Sequence, residues 1–222
     1  MPFMTQDSYH HGDLREELVQ AALWIVAREG SAALTLREVA RRAGVSHAAP
    51  YHHFADRAAM MAAVAERGFG GLRDAMRAAL ETAGRAPHAR MQAIGAAYVQ
   101  FAASHPGLFR VMFGPELSPM DARPSLCATS DEAFAVLVSA TQAVLGAPTA
   151  DDPRVQGAAL AAWSLVHGLA TLWNDTGLTR SGADLATLTR TATDVLRHGL
   201  QRLPADARPH AARATPKKRG KA

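Results

Sequence analysis

The sequence predicts an all-α chain: an amino-terminal three-helix unit built around a helix-turn-helix, followed by a larger helical bundle. Three observations predict it. Apolar residues recur at three- and four-residue spacing along most of the chain, with no alternating strand pattern. Prolines and glycines cut that pattern into segments of about 10 to 25 residues. The stretch from Thr35 to Phe54, TLREVARRAGVSHAAPYHHF, reads as two short helices joined by a tight glycine turn.

Each element follows from local chemistry. Leu14 to Arg28 is amphipathic, with Leu14, Leu18, Ala21, Ala22 and Ile25 on one face; Asp13 is its expected cap and Gly30 its stop. Thr35 caps the next helix, and Glu38 three residues on is expected to complete a capping box. Leu36, Val39, Ala40 and Ala43 turn inward while Arg37, Arg41 and Arg42 face out. Gly44 supplies the positive φ that ends this helix. Ser46 is the expected cap of the one after it, and Phe54 locks that helix to the core. Asp56 then caps a helix carrying Arg57, Met60, Met61 and Val64 that runs towards Ala83, where Gly68, Gly70 and Gly71 are expected to permit a bend between domains.

Pro87 opens another helix through Ala103, with Met91, Ile94, Tyr98 and Phe101 at helical spacing. His105-Pro106-Gly107 interrupts it, and Leu108 to Phe113 forms a short apolar turn of helix. Gly114 to Pro124 holds three prolines and reads as an exposed loop. Helices follow at about 127–145, 153–175 and 182–203. The domains expected are an amino-terminal arm (1–11), a helix-turn-helix domain (12–72, motif 35–54), a second helical domain (73–204) and a disordered basic tail (205–222).

Composition narrows the function classes. No apolar run is expected to reach membrane-spanning length, and the start, MPFMTQDSYHH, lacks the basic and apolar regions of a signal peptide, so a cytoplasmic chain is expected. One cysteine, Cys127, excludes an intramolecular disulfide, and its neighbours Ser125, Leu126, Ala128 and Thr129 bring no cation that would activate a thiol. The formal charge of +4 misplaces the basic surface. From Arg208 to the end there are six basic residues (Arg208, Arg213, Lys217, Lys218, Arg219 and Lys221) and no acidic one; taking those six from the 24 basic residues leaves 18 against 20 acidic ones, a formal −2 for residues 1–207. The tail either solubilises the chain or adds salt-dependent, sequence-independent affinity for phosphates.

A helix-turn-helix places its second helix in the DNA major groove. The order of elements, together with YHHGDLR near the start and GVSHAAPYHHFADR after the turn, closely resembles the TetR family of bacterial transcriptional repressors over roughly residues 10 to 70. Trp163-x-x-x-His167-Gly168 also resembles the carboxyl-terminal domain of the TetR subgroup named for its Trp-His-Gly motif. The resemblance implies phosphate contacts from Thr35, Tyr51, His53 and Arg57, and a base contact from Arg37, since arginine pairs bidentately with guanine. Ser46, His47, Ala48 and His52 complete the expected DNA-facing set, with Ala48 suited to a thymine methyl. Pro50 departs from the bulky aliphatic residue common there and removes a backbone donor. His10-His11 belongs, by resemblance, to an arm near DNA.

The resemblance further implies a homodimer, a near-palindromic operator and a small apolar inducer held in the second domain, which is thus a ligand-binding and dimerisation domain; no cofactor, metal or membrane is expected. In the last two helices Leu165, Leu169, Leu172, Leu185, Leu188, Val195 and Leu196 form the expected dimer seam. Tyr98, Phe101, Phe109, Met112, Phe113, Trp163, His167 and Trp173 are the expected cavity lining, each of which also fits plain core. His167, in a mostly apolar helix, requires a polar partner. No HExxH, P-loop, GxSxG or dinucleotide fingerprint is present, which argues against an enzyme. The alternative is a helical small-molecule-binding module without specific DNA binding.

Overall fold

The computed structural model describes residues 14–119, 122–176, 178, 182 and 184–202. The expected arm, the Asp13 cap, His10-His11 and the basic tail lie outside the described residues. The described residues form eight α-helices: α1 (Leu14–Glu29), α2 (Leu36–Ala43), α3 (Arg57–Thr82), α4 (Pro87–Ser104), α5 (Pro106–Met112), α6 (Pro124–Leu145), α7 (Pro153–Asp175) and α8 (Leu185–Leu200). Short 3-10 turns occur at Ser31–Ala33, Ala49–His52 and Pro115–Leu117.

The starts and stops obey capping chemistry. Asp56 Oδ1 accepts from the Ala59 amide at 2.7 Å to open α3, and Asp184 accepts from the Thr187 amide at 2.9 Å to open α8. Proline occupies the first turn of α4, α5, α6 and α7, where its missing donor costs nothing. Gly44 closes α2 at φ +71°, handing its N–H to the carbonyls of Ala40 and Arg41.

α3 is the spine. Its first turns bury Met60, Met61 and Val64 against α1, and its last turns bury Phe69, Leu72 and Met76 among α4, α5 and α6. The helix is unbroken across the expected domain boundary at residue 72. Its glycines admit neighbours instead. A Cβ at Gly68 would sit 2.6 Å from the Met112 side chain of α5, and one at Gly71 would be 3.3 Å from Phe101 of α4.

Two further expectations change. The loop at 114–124 is not wholly exposed, because the 3-10 turn at 115–117 buries Leu117 against α3; Pro124 opens α6 three residues earlier than expected. α7 is long and apolar enough, by length and composition, to cross a membrane, contrary to the expectation that no run reaches that length. One face of it packs against α4, α6 and α8, with Val155, Ala158, Ala159, Ala162, Val166 and Ala170 buried, while Leu160 and Leu172 stay exposed. Where α4 meets α8, a Cβ at Gly95 would lie 3.0 Å from Thr193, whose hydroxyl returns to the Thr189 carbonyl at 2.9 Å and so enters the core satisfied.

Candidate nucleic-acid interface and internal cavity

The first half of the helix-turn-helix forms largely as its residues dictate. Thr35 Oγ1 accepts from the Glu38 amide at 3.1 Å, but Glu38 does not reach back. Its carboxylate turns to Arg41, with Nε donating to Oε2 at 2.9 Å, so only half of the capping box exists: the charged donor one turn ahead outcompetes a neutral amide. The same contact holds the Glu38 carboxyl below its ordinary pKa. Arg42 places its guanidinium 3.1 Å from the Trp24 ring centroid, a cation–π stack on α1. Arg37 stays exposed and takes part in no ion pair among the described residues.

The second half departs from a regular α-helix, and Pro50 is the reason. In an α-helix capped by Ser46, the amide of residue 50 would bond the Ser46 carbonyl, and proline has no N–H to give. The Ala49 amide takes that carbonyl instead at 3.0 Å, Tyr51 bonds Ala48 at 3.1 Å and His53 bonds Pro50 at 3.0 Å, a run of 3-10 spacing over 49–52. The turn starts without a side-chain cap, so Ser46 is not the capping residue expected. Pro50 and Phe54 are buried, and they anchor the segment.

Thr35, Arg37, Ser46, His47, Ala48, Tyr51, His52 and His53 are all exposed. Tyr51, at 60%, keeps its ring outside the core. Arg57 differs from this set. Its Nε and an Nη donate to the carbonyls of Leu34 and Ser31, both at 2.8 Å, so the guanidinium ties the start of α3 to the turn before α2. A phosphate contact from Arg57 has to use its remaining donors.

In the second domain a cavity of about 350 Å³ opens between α3, α6 and α7. Of the eight lining residues expected, Tyr98, Phe113 and Trp163 face it. Phe109 and Met112 are buried behind it, Phe101 packs on His105 and Gly71, and Trp173 sits near the end of α7 outside it. The walls the sequence reading missed are Phe69, Leu72 and Met76 on α3, Ser130, Asp131, Ala133, Phe134 and Leu137 on α6, and Leu160 on α7.

His167 does not line the cavity but organises its floor. Trp163 Nε1 donates to the Tyr98 hydroxyl at 3.1 Å, and that hydroxyl lies 2.8 Å from His167 Nδ1. An indole nitrogen only donates, so the assignment that satisfies all three groups has Tyr98 donating its proton to Nδ1 and the ring proton on Nε2. Burial pushes the Tyr98 hydroxyl well above its ordinary pKa and pushes His167 below its own, favouring neutral forms of both. Phe109, Phe113 and Trp163 surround the imidazole at centroid distances of 5.3, 4.5 and 5.6 Å.

The expected seam divides in two. Leu169, Leu185 and Leu196 pack partly against their own core. Leu172 and Val195 are 49% and 65% exposed, and Leu165 and Leu188 are half-buried without joining that core. Gly157 and Gly168 on α7 have open space where a side chain would stand.

Known proteins match both halves. Residues 18–64 match the family of bacterial regulatory proteins, tetR family, and residues 91–196 match the tetracyclin repressor-like carboxyl-terminal domain. The HTH-type transcriptional regulator BetI of Rhizobium meliloti (strain 1021) is 38% identical over 80 residues, 36% of this chain and 39% of BetI, so the match spans well under half of that regulator's length. A solved Rhodococcus sp. RHA1 protein of unknown function is 34% identical and superposes with a TM-score of 0.75, over 87% of this chain and 98% of that one. FadR from Bacillus subtilis, solved with stearoyl-CoA, shares the fold at a TM-score of 0.64 and 16% identity, over 83% and 98% of the two chains.

Proposed function

The chain belongs to the TetR family of transcriptional regulators, and on that premise we propose that it represses transcription as a ligand-responsive homodimer on a near-palindromic DNA operator. The observation that carries the proposal is the exposed set Thr35, Arg37, Ser46, His47, Ala48, Tyr51, His52 and His53 on a helix-turn-helix anchored by Pro50 and Phe54. Thr35, Tyr51 and His53 suit phosphate oxygens and set register, Arg37 suits a base edge, and His47, Ala48 and His52 complete the groove-facing surface.

The outward apolar residues Leu165, Leu172, Leu188 and Val195 supply the two-fold contact, where α7 and α8 of each copy form a four-helix seam. The open glycines Gly157 and Gly168 let the helices approach closely. Two-fold symmetry then spaces two recognition segments for successive major-groove faces. The Trp163-x-x-x-His167-Gly168 pattern supports placement in the Trp-His-Gly subgroup, and a regulator of this kind works in the cytoplasm.

The inducer is a small apolar molecule in the cavity of about 350 Å³. FadR of Bacillus subtilis, a transcriptional regulator which shares the fold, was solved in complex with stearoyl-CoA. Two rigid connections carry the signal. α3 runs without a break from the cavity wall at Phe69, Leu72 and Met76 to Arg57 in the DNA-binding domain. α5, which the cavity residue Phe113 directly follows, packs against α1. A ligand that prefers the arrangement with mis-spaced recognition segments shifts the population off DNA.

Footprinting on a selected operator tests this. Wild type is expected to protect two half-sites one helical turn or a multiple apart, about 34–36 Å per turn. Leu172→Glu with Val195→Glu is expected to yield monomers in sedimentation and to lose that footprint. A monomeric wild type that still protects a palindrome would overturn the dimer reading.

A further inference from the structure

The cavity is apolar on nearly every wall, and among the described residues its one charged lining residue, Asp131, is exposed. Phe69, Phe113, Phe134 and Trp163 supply aromatic faces, with Phe69 edge-on to Phe113 at 5.3 Å and Phe134 edge-on to Trp163 at 6.1 Å. The polar lining residues are Tyr98, Ser130 and Asp131. The Tyr98 hydroxyl is already committed to Trp163 and His167. Asp131 is exposed, lies on α6 and joins no ion pair among the described residues.

Among the described residues, no lysine, arginine or histidine lines the cavity. Arg73, on the α3 turn next to Leu72, is bound to both Asp74 and Glu132, so its charge is already compensated. Glu66, one turn before Phe69, accepts from Ser125 at 2.6 Å and adds a further carboxylate beside α6. A ligand with an anionic head therefore meets Asp131 and no cation among the described lining residues, at a cost in Coulomb repulsion and unrepaid desolvation; Arg77, beside Met76, is exposed and outside the lining. A cationic head meets the Asp131 carboxylate and a surround of aromatic faces, the environment that draws organic cations.

We infer that this cavity selects lipophilic organic cations, with an apolar body among Phe69, Phe113, Phe134 and Trp163 and a positive head at Asp131. The inference rests on the cavity being the ligand site proposed above. Its test separates the two ideas. Decyltrimethylammonium, decanol and decanoate, each below its micelle concentration, are titrated calorimetrically into the full chain, into Asp131→Asn and into Ser130→Lys.

The ammonium is expected to bind about ten-fold more tightly than the carboxylate, with the alcohol between them. Asp131→Asn is expected to shrink that ratio to about two-fold while leaving decanol unchanged, and Ser130→Lys to reverse it. Asp131 is exposed and Ser130 half-buried, and a thermal melt of each variant checks that it folds. Equal binding of all three, tighter binding of decanoate, or an ammonium preference that survives Asp131→Asn would overturn the charge selectivity and leave the cavity reading standing. Binding of none of the three would remove the cavity reading itself.

Discussion

Gly107 of α5 lies directly against the backbone of Val26 in α1: a Cβ on Gly107 would collide with the Val26 carbonyl oxygen and stand 3.3 Å from its carbonyl carbon. Backbone cannot turn aside as a flexible side chain can. This contact sets the spacing between α1 and α5, the helix directly followed by the cavity residue Phe113. Gly107→Ala is expected to destabilise the fold by about 1–3 kcal/mol, because overpacking outweighs the roughly 1 kcal/mol that alanine gains over glycine in a helix. Thermal unfolding measures it. An unchanged or raised midpoint would mean that α1 and α5 slide apart freely.

Thr35 has a structural duty and a proposed DNA-contacting one, and they are separable. Thr35→Ala is expected to lose about 1 kcal/mol of stability with the bond to the Glu38 amide. Thr35→Ser keeps that oxygen and is expected to restore both stability and DNA affinity. Restored stability with DNA affinity still lost would assign the DNA contact to the threonine methyl.

Arg37 is free to read DNA in a way that Arg41 and Arg42 are not, since Glu38 holds the one and Trp24 the other. Arg37→Ala is expected to weaken operator binding by about 1–3 kcal/mol and to relax one operator position. Binding titrations on operator and random duplexes check this. Equal losses on both would make Arg37 a phosphate contact.

Acid should loosen the cavity floor. Burial lowers the His167 pKa below that of the unfolded chain, so near pH 6 the unfolded state binds more protons and stability rises with pH. The stability present above the unfolded pKa of about 6.5 is lost as pH falls through the lower folded value. His167→Gln, which keeps an acceptor for Tyr98 and cannot titrate, is expected to flatten this part of the stability–pH curve. Denaturant titrations from pH 7.5 to pH 5 read the slope; identical slopes in variant and wild type would place the acid response elsewhere.

Much of the DNA-binding domain is local chemistry and was therefore legible in the sequence. Thr35 opens α2, Gly44 closes it, Asp56 opens α3, and Phe54 is buried as its apolar character requires. The 3-10 form of residues 49–52 was written in Pro50, yet it emerges only when each amide is matched to a carbonyl. The cavity was less legible because its walls come from distant segments. Phe69 and Phe134 are aromatic, but nothing local says that α3 and α6 face each other. Gly68 and Gly71 resemble helix weakeners until Met112 and Phe101 are placed against them.

Specific DNA recognition is the central claim, and selection tests it most directly: genomic fragments retained by the full chain at physiological salt are sequenced. Enrichment of one near-palindromic site, lost in the Arg37→Ala and Tyr51→Ala variants, is the expected result. Uniform retention of all fragments that collapses with added salt, unchanged by either substitution, would contradict it and leave a helical ligand-binding module with only nonspecific affinity for phosphates.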